Sequence, residues 1–155
     1  MEKEKEKTID VLNSLITINN DRIEGYKTAS EATEEQELKT LFGKLSTTSQ
    51  KCKKELDAEV TKCGGTPTDG TQTKGKFFRA WMDVKAALTG KDRKAILNSC
   101  EQGEDAAVNT YKKVLKNDSQ DFNPAQKSMV TNQHVMLKAD HDDVKALCDA
   151  LEAVN

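Results

Sequence analysis

Two polar side chains sit where helices should be turning apolar groups inward. Asn19 lies in the stretch TINNDRIEGY, seven residues before Tyr26, in a run whose apolar positions Ile9, Leu12, Ile16, Ile23 and Tyr26 mark one helix face. Glu104 lies among Leu97, Cys100, Ala107 and Tyr111 and so points into the same kind of interior. An inward carboxylate is either a ligand for a hard metal ion or a member of a hydrogen-bonded cluster, and an inward amide is a weaker version of both. The histidines are His134 and His141. His134 lies off the apolar stripe of its segment and reads as a surface side chain. His141 opens the run HDD, but consecutive helical residues fan out by about 100° each, so those three cannot face one ion together.

Other chemistry finds little support. The four cysteines, Cys52, Cys63, Cys100 and Cys148, form no C-x-x-C pair, and a structural zinc site needs ligands one turn or one tight loop apart. They read as small buried hydrophobes of a reducing compartment. There is no G-x-S-x-G elbow and no phosphate-cradling loop between a strand and a helix. The glycines of CGGTPTDG follow a helical run and read as a linker.

The elements that must position Asn19 and Glu104 are helices. The chain has 155 residues, 32% of them charged and 5% aromatic, with two prolines. That is enough for one domain and is the composition of a helical bundle. Lysine and glutamate alternate around a net charge of −2, so no basic face is presented to nucleic acid. No apolar run is long enough for a bilayer. The charged start, MEKEKEKT, has no secretory apolar stretch behind it, and a cytoplasmic protein is expected. Apolar periodicity predicts helices over about 5–31, 34–62, 75–89, 93–117 and 124–153 in a single domain. The short one carries Phe77, Phe78, Trp81, Val84 and Leu88, and Gly90 ends it. Asp92 is placed to cap the next. Asn123 as N-cap and Pro124 at the first helical position open the last.

The connections order these helices. The first two long helices are separated by about two residues and the last two by about six, which makes two antiparallel hairpins. The segment 63–92 between them can span the bundle: eleven extended residues cover about 36 Å and a fifteen-residue helix about 22 Å more. The expected fold is therefore all-α, a ferritin-like four-helix bundle with a long crossover between the second and third helices carrying a short extra helix. Up-down-up-down connectivity is the alternative if the short helix folds back.

The stretches NNDRIEGYKTAS, RAWMDVKAALTGKD and CEQGEDAAVNTYKKVL resemble a bacterial family of small ferritin-like bundles with no assigned function, over about residues 8–150. The resemblance implies a fold and brings no activity. In the wider superfamily, two iron or manganese ions lie between the helices, held by a Glu from each of two helices and a Glu-x-x-His from each of the others. The lone Glu there often stands seven residues before a Tyr. By that spacing the first slot is Asn19 and the third is Glu104, seven before Tyr111. The second falls near Ser49-Gln50-Lys51-Cys52, with neither Glu nor His. The fourth is Lys138-Ala139-Asp140-His141, with Lys where Glu would be. The resemblance thus implies a degenerate metal position. Its remnant is a buried polar cluster of Asn19, Ser49, Cys52, Glu104, Lys138 and His141, with Glu104 paired to Lys138 or His141. The metal reading is a single divalent ion on Glu104 and His141, with Asp140 as a further ligand.

Three functions compete. The first is a non-enzymatic bundle, without cofactor, that binds a partner protein or assembles, with a role in stress suggested by the ferritin association alone. The second is a metal-binding protein or oxidase with a reduced iron, manganese or zinc site. The third is a small-molecule binder using the polar pocket between the helices. Phe77, Trp81 and Leu88 on the short helix suggest a homodimer. No nucleic acid and no membrane is expected as partner.

Overall fold

A computed structural model describes residues 2–70 and 93–154. The expected short helix, with Phe77, Trp81 and Leu88, and the Gly90 and Asp92 helix-end residues lie outside the described residues. Those described form four long helices and no strand: α1 (Glu2–Ala32), α2 (Gln36–Lys62), α3 (Arg93–Asn117) and α4 (Pro124–Val154), with a 3-10 turn at Ser119–Asp121 before α4. The fold is all-α, a bundle of two hairpins. α1 begins earlier than the apolar stripe does, because its charged first turns need no core to be helical.

Local chemistry fixes the helix ends. Asn123 Oδ1 accepts from the Gln126 amide at 2.7 Å while Gln126 Oε1 accepts from the Asn123 amide at 2.9 Å, a reciprocal capping box around Pro124. α2 closes on Gly64, whose φ of +89° suits a residue without Cβ. Its amide reaches Thr61 O and the Gly65 amide reaches Val60 O, which satisfies carbonyls the helix leaves open. Gly65 presses on α1, where a Cβ would stand 2.8 Å from Ile9 Cγ2.

Side-chain bonds between helices give their directions. At one level Arg22, Ser49, Glu104 and Asp140 meet. At the next, Asn19, Cys52, Tyr111 and Gln133 meet. From the first level to the second the numbering falls on α1 and α4 and rises on α2 and α3. So α2 and α3 run parallel, and up-down-up-down connectivity is excluded. The crossover starts accordingly. Asn13 Nδ2 donates to Thr66 O at 3.2 Å and Asn13 Oδ1 accepts from the Thr68 amide at 3.0 Å. Asn20 Nδ2 donates to Thr68 O and Gly70 O at 3.3 and 3.0 Å. The chain thereby climbs α1 toward the opposite end, where Arg93 at the start of α3 pairs with Glu37 at 2.7 Å.

The core is divided. One apolar cluster holds Leu12, Leu15, Ile16, Leu56, Val60, Ala107, Val114, Val130 and Leu137. The other holds Tyr26, Leu38, Phe42, Leu45, Leu97, Cys100 and Val144. Burying each large aliphatic side chain stabilises by roughly 1.5–3 kcal/mol. The Arg22 level lies between them along every helix, while Tyr111 and Gln133 of the second level stand within the span of the first cluster. In the α1 stripe Ile9 and Ile23 are only partly buried, while Arg22, beside Ile23, is fully buried. On α4 Leu147 is exposed.

Candidate functional site

α1 alternates buried positions by three and four residues, Leu12, Leu15, Asn19, Arg22, Tyr26 and Ala29, the spacing that keeps one helix face inward. That phase carries Arg22 into the centre, with no solvent exposure. Its Nε donates to Glu104 Oε2 at 3.0 Å and its Nη2 to Glu104 Oε1 at 2.7 Å. Nη2 also reaches Asp140 Oδ2 at 3.2 Å, and Nη1 donates to Ser49 Oγ at 2.5 Å. All four helices contribute to this level. The Tyr26 ring lies beneath the guanidinium, its centroid 5.7 Å from Cζ, and stacks on Phe42 at 5.8 Å.

The planar guanidinium matches the carboxylate fork, so the pair carries two parallel charge-assisted bonds. Burial alone would make Arg22 easier to deprotonate. The adjacent Glu104 carboxylate, with Tyr26 and Asp140, more than reverses this and holds the guanidinium above its ordinary value. Burial pushes the Glu104 carboxyl up from 4.5, against the Arg22 charge and its hydrogen bonds. The pair is ionised at neutral pH, because the guanidinium keeps its proton and Glu104 accepts through both oxygens.

The second level is neutral. Asn19 Nδ2 donates to Leu15 O at 2.8 Å and to the Tyr111 hydroxyl at 2.9 Å. That hydroxyl donates to Gln133 Oε1 at 2.8 Å, and Gln133 Nε2 reaches Glu55 Oε1 at 3.1 Å and Cys52 O at 3.4 Å. Burial raises the Tyr111 phenol, with Cys52 beside it, and pushes the Cys52 thiol up to about 12. Both groups stay protonated and serve as hydrogen-bonding, uncharged members of the layer. On α4 the residues facing the first hairpin recur every seven, Gln126, Gln133 and Asp140. Gln126 Nε2 bonds Glu59 Oε1 at 2.9 Å.

Asn19, Ser49, Cys52 and Glu104 are thus all buried, Ser49 and Glu104 at the first level with Asp140, and Asn19 and Cys52 at the second. Lys138 is not buried. It is exposed and pairs with Asp142 one turn along at 3.5 Å, because its place next to Leu137 turns it about 100° away from the core. The expected pairing of Glu104 with Lys138 is replaced by pairing with Arg22. His141 is not hydrogen-bonded to Glu104 either. Its Nε2 meets Asp105 across the α3–α4 surface and its Nδ1 meets Asp142 at 3.1 Å. Both His141 ring nitrogens thus meet carboxylates other than Glu104, and no group of three or more His, Cys, Asp or Glu side chains is arranged to hold a metal ion among the described residues. His134 is partly buried rather than a plain surface side chain. Sequence spacing passed over Arg22, although the three-four alternation through Asn19 and Tyr26 contained it. It also passed over the Gln126, Gln133, Asp140 repeat.

No helix among the described residues is long and apolar enough to cross a membrane. No curated protein matches the chain. Residues 7–117, from the first turns of α1 to the end of α3, match a family model that includes Arg22, Ser49, Glu104 and Tyr111 in its span. The chain belongs to that family, described as Domain of unknown function (DUF2383).

Proposed function

We propose that this is a cytoplasmic, ferritin-like bundle in which a guanidinium takes the place of a metal centre, and that it works by binding or assembly rather than by catalysis. The observation that supports this is the Arg22–Glu104 pair. Both Glu104 oxygens and one Asp140 oxygen accept from Arg22, so the carboxylates that would ligate a divalent ion already neutralise a fixed cation. A second cation placed there meets like charge at close range and fewer free oxygen ligands than a carboxylate-bound centre uses. The cluster then serves the fold, joining hairpins at one register, and the activity resides on the outer surface. Self-association as a homodimer through the aromatic segment around Trp81 is the form of assembly the sequence favours.

The test is metal content. Protein purified without chelator and then offered iron(II), manganese(II) or zinc(II) should retain well below one ion per chain. Stoichiometric metal that disappears in Glu104→Gln would overturn the reading in favour of a metal-binding protein. Light scattering across a concentration series reads the dimer, and a monomer at high concentration removes that part of the proposal.

A further inference from the structure

The sequence contains one Asp-Gly dipeptide, Asp69-Gly70, and no Asn-Gly. Both residues are exposed and outside any helix, on the segment that Asn13 and Asn20 hold against α1. We propose that Asp69-Gly70 is a site of spontaneous isoaspartate formation, and that the change releases the crossover from Asn20. The Gly70 nitrogen attacks Asp69 Cγ in its neutral carboxyl form. The N–Cγ bond forms, the Cγ–OH bond breaks, and the departing hydroxyl leaves with the amide proton as water, giving a succinimide. Water then adds at either ring carbonyl. Opening at Cγ restores aspartate. Opening at the main-chain carbonyl leaves the chain running through Cβ and Cγ, with no net change of formula.

Two features favour the step here. Gly70 has no Cβ to obstruct ring closure or to restrict its backbone. No helical hydrogen bond holds this peptide as it holds the aspartates within the four helices. The consequence follows from spacing. Asn20 Nδ2 bonds the carbonyls of Thr68 and Gly70, which flank Asp69. One extra methylene in the main chain between them separates these carbonyls, so a single amide group no longer reaches both.

The test is ageing of the full chain at mildly acidic pH and 37 °C, followed by tryptic mapping. The 63–74 peptide should split into two species of identical mass. One should accept a methyl group from an isoaspartyl methyltransferase, accumulating several-fold faster than in any other aspartate-containing peptide. Asp69→Ser should abolish the split. Hydrogen exchange at residues 66–70 should be faster in the aged chain than in fresh protein, with the cores of α2 and α3 unchanged. A single unsplit peptide, or splitting that persists in Asp69→Ser, overturns the site. Isomerisation with unchanged exchange over 66–70 overturns the release.

Discussion

The Arg22 guanidinium grips Glu104 through both of its oxygens, at 2.7 and 3.0 Å, with neither side chain exposed to solvent. This bond joins α1 to α3, across the boundary between the two hairpins, and Asp140 and Ser49 bring in the other two helices. A buried ion pair of this kind adds little net stability relative to a well-packed apolar alternative, but breaking it from one side is costly.

Arg22→Met should therefore leave two buried carboxylates without their cation and lower stability by about 3–5 kcal/mol, read by urea denaturation. Adding Glu104→Leu in the same chain should recover part of that loss. A single Arg22→Met variant as stable as the parent would show that the pair is open to water.

The Glu104 carboxyl has a folded pKa above its ordinary 4.5. Its contribution to stability is thus fully present below its unfolded value and declines as pH rises through the folded value. Measured against Glu104→Gln, the parent should lose relative stability across that window and then level off. At neutral pH the substitution should change stability by roughly 1–3 kcal/mol through loss of the charge-assisted bond. A gap that instead widened in favour of the parent with rising pH would mean that Arg22 depresses this carboxyl.

Tyr111→Phe removes a hydroxyl that both accepts from Asn19 and donates to Gln133. The Gln133 oxygen is then left without that donor in a buried site, at a cost of about 1–3 kcal/mol. Thermal unfolding of Tyr111→Phe beside Tyr111→Phe/Gln133→Leu tests this, because the second change removes the stranded amide and should restore stability.

Thiol labelling should separate one cysteine from three. Cys52, Cys100 and Cys148 are buried, and burial pushes the Cys52 thiol up to about 12 and raises Cys100 as well. Since the thiolate is the reactive form, native protein at neutral pH should show one fast-reacting group, Cys63, and four after denaturation. Cys63→Ser should remove the fast phase. Fast labelling of Cys52 would indicate that the polar layer opens readily.

The repeating pattern of apolar residues determined where the helices lie, since a helix of 3.6 residues per turn must keep one stripe dry. Asn123 as N-cap with Pro124 behind it was legible because capping is local chemistry, whereas the reciprocal bond to Gln126 and the helix-ending role of Gly64 came only with the structure. The inward direction of Asn19 and Glu104 was also legible, each being one position within a stripe. The partner of Glu104 was not. Arg22 and Ile23 are adjacent, and a rotation of about 100° decides which enters the core. Only the packing of four helices sets that rotation, and a long side chain then reaches neighbours no spacing rule connects. The parallel course of α2 and α3 likewise awaited the tertiary structure, because loop length permits a crossover but does not require one. What the sequence carried as two stray polar residues, the folded chain made into a charged cluster by choosing Arg22 over Lys138.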